Sequence, residues 1–136
     1  MSEYKKLSTR HATAVFVLSL AQKHRTEFND LLVDSVTETI TEIFGSKVTP
    51  AFWYHYQGYL GISRDEIPYR LETLFSGLKG AFGIGGETLG RSIIKKLYAK
   101  ADVPLIYVQD KPFAEYVEEL KETLAKTLMV HVTAKS

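Results

Sequence analysis

This chain of 136 residues predicts a mainly α, multi-helix single domain, with room for a small sheet that would make it α+β. Three observations carry that expectation. Apolar residues recur at helical spacing over most of the length. Glycines or a Thr-Pro pair fall where the apolar stripes break. The composition, 45% hydrophobic and 24% charged, is ordinary for a globular chain of one domain.

The first element is open to two interpretations. Ala12 to Leu20 is rich in Val15, Phe16 and Val17, which favours a strand, yet the flanking Ala21-Gln22-Lys23-His24 suits a buried helix. Thr26 is positioned to cap a helix. From Phe28 the stripe Leu31, Leu32, Val36, Ile40, Ile43 and Phe44 is helical, and Gly45 ends it. Thr49-Pro50 starts the next helix, which runs from Ala51 to Leu60 and stops at Gly61. Ser63-Arg64-Asp65-Glu66 has the form of a capping box, but Pro68 follows too closely for an unbroken helix. A turn and then a helix from Pro68 to Phe82 are expected, burying Leu71, Leu74, Phe75, Leu78 and Phe82. Gly83-Ile84-Gly85-Gly86 forms the joint to a helix from Glu87 to Ala101, which buries Leu89, Ile93, Ile94, Leu97 and Tyr98. Asp110 and Pro112 open the last helix, whose stripe is Phe113, Tyr116, Val117, Leu120, Leu124 and Leu128. If a sheet forms, residues 14–20, 105–108 and 128–132 supply its strands.

Several function classes lose their chemistry at this stage. No cysteine is present, so disulfides, thiolate metal sites and cysteine nucleophiles are excluded. His11, His24, His55 and His131 are scattered, and none stands one helical turn from another, so no metal site is expected. There is no nucleophile elbow and no phosphate-binding loop of the Gly-x-x-x-x-Gly-Lys type. No cofactor and no catalytic residue are assigned. An enzyme with an unrecognised cleft stays the least favoured alternative. No apolar run approaches the roughly 18 residues that span a bilayer, and the start lacks a leader's cleavage site. A cytoplasmic protein without membrane partners is expected.

The net charge of +1 hides a segregation. Residues 26–44 carry Glu27, Asp30, Asp34, Glu38 and Glu42 and no base. Residues 81–100 carry Arg91, Lys95, Lys96 and Lys100 against Glu87. Such segregation serves either complementary neighbouring helices or an external anion. A helix start rich in glycine, followed by bases, is able to hold phosphate through its free N–H groups, which singles out Gly85, Gly86, Arg91 and Lys95. The turn Gly83-Ile84-Gly85, with Thr88 and the basic helix beyond, resembles the hairpin of helix-hairpin-helix modules. That resemblance implies contact with a nucleic-acid backbone. Phe82 stands where those modules usually carry proline, Leu89 where they carry a small residue, and the next apolar position shifts to Ile93.

The helix 51–60 raises a second theme. Phe52, Trp53, Tyr54, Tyr56 and Tyr59 point in nearly every direction around its axis, more rings than one small core accommodates easily. Phe52, Trp53, Tyr56 and Tyr59 are therefore expected at an interface between copies of the chain. Tyr54-His55-Tyr56, Asp65-Glu66-Ile67-Pro68, Leu78-x-x-x-Phe82-Gly83-x-Gly85 and Ile93-Ile94-x-x-Leu97-Tyr98 together resemble a small helical archaeal domain of the Nitrosopumilus output-domain type, over residues 28–102. That resemblance implies a regulatory or interaction role without catalysis. The sequence thus predicts a non-enzymatic regulatory or protein-interaction domain that self-associates. The alternative is a binder of nucleic-acid backbone.

Overall fold

The computed structural model describes the backbone of residues 2–135 and the side chains of residues 19, 22–55, 57–58 and 61–128. Its elements are α1 (Ser2–Phe44), α2 (Val48–Leu60), a 3-10 helix (Arg64–Tyr69), α3 (Leu71–Phe82), α4 (Ile84–Ala101) and α5 (Phe113–Lys135). Among the described residues there is no strand. The all-helical expectation holds, and the sheet does not form. Residues 14–20 lie in α1 and 128–132 in α5, while 105–108 form no regular element. The strand preference of Val15, Phe16 and Val17 is worth only tenths of a kcal/mol per residue. Interrupting a helix that continues on both sides would cost a new nucleus, a larger penalty.

Thr26 is not a cap. It sits inside α1, and its hydroxyl donates to the Gln22 carbonyl, 3.1 Å away. The same back-bonding recurs along α1, with Ser35 donating to Leu31 at 2.7 Å and Thr39 to Ser35 at 2.7 Å. Ser35 and Thr39 are buried beside Phe28, Leu32, Val36 and Ile40, and these local bonds satisfy hydroxyls that water cannot reach. The 3-10 helix replaces the expected turn and takes the first residues of the helix predicted from Pro68. The Glu66 carboxylate accepts from the Ser63 N–H at 3.2 Å and its hydroxyl at 3.0 Å, so the start was read correctly as a capping box. Pro68 lies in the short helix, and α3 begins only at Leu71.

α4 is the central element. Its buried residues Leu89, Ile93, Ile94 and Leu97 meet Leu32, Val36 and Ile40 of α1, Leu74 and Leu78 of α3, and Val117 and Leu120 of α5 in one core. α4 runs antiparallel to α1, because Lys96 pairs with Glu42 and Lys100 with Glu38, the latter at 2.8 Å. The acidic and basic stretches of the sequence thus face each other across a helix pair.

Glycine sets how closely the helices approach. A Cβ on Gly86 would lie 2.1 Å from the Leu78 carbonyl oxygen, and one on Gly90 would lie 2.6 Å from the Phe113 ring. The two glycines stand one turn apart on a single face of α4. Gly83 has φ of +59° and ends α3 as the sequence predicts; its N–H donates to the Lys79 carbonyl at 2.7 Å.

The glycines of the joint are therefore expected to respond differently to substitution. Gly86→Ala should destabilise by about 1–3 kcal/mol through overpacking against the α3 backbone. Gly83→Val should cost about 1–2 kcal/mol through strain at positive φ. Gly85→Ala, whose Cβ would meet only the Phe82 Cβ at an ordinary 3.7 Å, should be neutral or stabilising by up to about 1 kcal/mol. Urea unfolding of the three variants checks the order. Equal stability of Gly86→Ala and the parent would contradict the close approach.

Candidate functional site

Two surfaces collect the residues with functional potential. The first is a groove of about 910 Å³ between α3, the start of α4, the connection 103–112 and the start of α5. Phe75, Tyr107, Phe113 and Tyr116 give it apolar walls; Lys79, Arg91, Lys111, Glu87 and Asp110 supply its charges. Gly86 and Arg91 of the predicted anion site line it, whereas Gly85 and Lys95 do not. The Gly86 N–H is already spent on the Gly83 carbonyl, 3.0 Å away. Arg91 stands 4.0 Å from Glu87, and both side chains are largely exposed. Lys111 pairs with Glu119 and lies 4.4 Å over the Tyr116 ring. With Lys96 and Lys100 held by α1 carboxylates, half of the predicted basic cluster is neutralised inside the chain.

Two tyrosines hold the connection 103–112 in place, and nothing in the sequence marked them for that task. The Tyr116 hydroxyl accepts from the Val108 N–H at 2.9 Å and donates to the Val108 carbonyl at 3.1 Å. The buried Tyr98 hydroxyl donates to the Tyr116 carbonyl at 2.6 Å. Burial raises the Tyr98 pKa above its ordinary 10.0, and Glu119 and Tyr116 push the same way. Burial also raises that of Tyr107, with Arg91 opposing and Tyr116 reinforcing the shift. At the other end of the segment Asp102 closes α4 with φ of +56°, and the Val103 N–H reaches back to the Tyr98 carbonyl at 3.1 Å.

The second surface is the end of the bundle where α1 stops, α2 starts, α3 stops and α4 starts. Ile43, Phe44 and Phe82, expected on buried stripes, are substantially exposed there, as are Val48 and, at 88% exposure, Ile84. Phe44 and Phe82 stack with ring centroids 5.8 Å apart. Beside them a groove of about 430 Å³ is lined almost wholly by apolar atoms of Phe44, Val48, Ala51, Phe52 and Phe82, with His55 at its margin. The predicted interface residues Phe52 and Trp53 are buried in the chain's own core, and the Arg64 guanidinium lies 5.3 Å over the Trp53 ring. The side chains of Tyr56 and Tyr59 lie outside those described. The helix ends that leave Phe44 and Phe82 uncovered were visible in the sequence as bulky residues immediately before Gly45 and Gly83, a signal that the stripe pattern masked.

Among the described residues no three His, Asp or Glu side chains cluster as metal ligands, and no helix is long and apolar enough to cross a membrane. In comparisons with known proteins, no family model, curated protein or solved structure matches the chain.

The Tyr98 hydroxyl gives this region a pH signature. Because its folded-state pKa is raised, its contribution to stability is complete below about pH 10 and is lost as the pH rises through the folded value. The parent should therefore lose stability in alkali. Tyr98→Phe should lose less there while being less stable at neutral pH, by about 1 kcal/mol for the missing hydrogen bond. Denaturant unfolding at a series of pH values measures both. An alkaline loss identical in the two proteins would show that other groups cause it.

Proposed function

We propose that this chain is a non-enzymatic regulatory or protein-interaction domain that self-associates through the exposed apolar end of its helical bundle. One observation carries the proposal: Phe44, Val48 and Phe82, from the end of α1, the start of α2 and the end of α3, line one uncovered apolar groove, and their near neighbours in sequence Ile43 and Ile84 are exposed as well. Contiguous exposed apolar side chains mark interaction surfaces more often than isolated ones do. A second copy is the occupant that best suits its surroundings. The charges flanking the surface in sequence are of both signs, Lys47 and Lys79 against Glu42 and Glu87, the two carboxylates being paired with Lys96 and Arg91, so no single sign of charge repels a second copy. The resemblance of residues 28–102 to an archaeal output-type domain points to the same regulatory class. A cytoplasmic setting belongs to the proposal and rests on the sequence alone. Binding to a nucleic-acid backbone has less in its favour, because the Gly86 amide and the Lys96 and Lys100 side chains already have partners.

Sedimentation velocity at micromolar concentration should report a dimer or larger species. The double variant Val48→Asp and Ile84→Asp should return it to a monomer. Both substitutions fall at the first residue of a helix, where a carboxylate favours the helix, so the fold is retained. Unchanged helical circular dichroism and thermal midpoint verify that. A monomeric parent, or a variant that associates like the parent, would refute the proposal.

A further inference from the structure

The groove between α3, the start of α4, the connection 103–112 and the start of α5 is lined by rings from three elements. They form two pairs: Phe75 with Phe113, ring centroids 5.4 Å apart, and Tyr107 with Tyr116, 6.2 Å apart. The fold itself holds two of the four. Phe113 lies against Gly90, where a Cβ would come within 2.6 Å of the ring. Tyr116 is buried, and its hydroxyl is spent on both backbone groups of Val108. Tyr107, 47% exposed, leaves ring surface open to a ligand. Rings already fixed in place lose little freedom when a ligand settles on them. A volume of about 910 Å³ is of the size that takes a small organic molecule.

The charges of the groove select the sign of that molecule. Lys111 lies 4.4 Å over the Tyr116 ring and pairs with Glu119, so the place a cationic ligand would take on that ring is filled. Lys79, on the α3 side, makes no ion pair or hydrogen bond through its side chain among the described residues. Arg91, on α4, has Glu87 at 4.0 Å, with side chains 60% and 59% exposed. So loose and wet a pair holds the guanidinium weakly. It is left able to turn to a carboxylate that accepts two parallel N–H bonds. Arg91 also opposes the burial that raises the Tyr107 pKa, so its field reaches the hydroxyl of that ring.

We infer that this groove binds a small aromatic carboxylate, with its ring against the aromatic lining and its charge on Arg91, supported by Lys79. Glu87 and Asp110 line the same groove and repel an anion. Their repulsion limits the affinity and gives the site a signature, because neutralising either carboxylate strengthens binding. No lining residue is shared with the apolar groove at the bundle end, so the inference does not depend on self-association there.

The test uses the full chain, labelled with ¹⁵N, and indole-3-acetate as the probe at low ionic strength. Saturable shifts are expected at the amides of Arg91, Val108 and Lys111 and not at those of Val48 and Ile84. The uncharged indole-3-acetamide should bind about tenfold more weakly, and Arg91→Gln should weaken the acetate by a similar factor, because each removes the charge-assisted pair. Asp110→Asn should tighten binding about two- to threefold by removing a like charge. Asn tolerates the positive φ of Asp110, so the connection keeps its shape. Helical circular dichroism and thermal midpoint verify the fold of both variants. The variant Val48→Asp with Ile84→Asp should bind the probe as the parent does. No saturable shift up to millimolar probe would overturn the inference, as would equal binding of the amide or undiminished binding by Arg91→Gln. Weaker binding by Asp110→Asn, or shifts centred on Val48 and Ile84, would overturn it too.

Discussion

Everything in this bundle depends on how closely α4 approaches its neighbours. Gly86 lets the α4 backbone touch the Leu78 carbonyl, and Gly90 lets the Phe113 ring approach the helix one turn later. Without those two contacts α3 and the start of α5 would stand off, and Leu89, Ile93, Ile94 and Leu97 would lose part of the core they now fill. Packed interiors tolerate little extra volume, so this constraint is sharp rather than graded. It also explains why the joint before α4 is rich in glycine without any ligand. Gly83 turns the chain, and Gly86 admits the neighbouring backbone.

With α4 fixed in this way, the charge segregation of the sequence resolves internally. Lys96 and Lys100 reach Glu42 and Glu38 on the antiparallel α1. Such exposed pairs contribute little to stability, but they select which helix lies beside which. What the packing does not resolve is the end of the bundle. The turns at Gly45 and Gly83 stop α1 and α3 just after Phe44 and Phe82, and the two rings have only each other and the rim of the end groove for cover. The apolar surface that remains is the feature on which the proposed self-association rests.

Much of the helical framework was legible in the residues, because stripes such as Phe28-Leu32-Val36-Ile40 and Tyr116-Val117-Leu120 carry their own period. The stops at Gly45, Gly61 and Gly83 were legible too, since positive φ selects glycine. The continuity of α1 was not. Its β-branched run mimics a strand, and only the whole length of the helix outweighs that local preference. The roles of Gly86 and Gly90 were hidden for another reason. A glycine needed for close approach looks like one needed for a turn until its neighbour is known. The aromatic helix misled in the same way: Phe52 and Trp53 read as surplus rings, yet both are buried in the chain's own core, with α1 the main neighbour of α2. Of the anion site, only Gly86 and Arg91 line the groove; Gly85 and Lys95, the latter one helical turn beyond Arg91, do not.

The proposed self-association sets the apolar end of the bundle against a second copy. The chain has no cysteine, so Lys47→Cys gives a single attachment point for a spin label at the bundle end. Labelled protein is mixed with ¹⁵N protein that carries no label, and intermolecular broadening of the amide signals is recorded. Contact through the apolar end predicts broadening at Val48, Phe82 and Ile84 and none at Glu122 on α5. Broadening centred elsewhere, or none at concentrations where the protein sediments as a dimer, would contradict it.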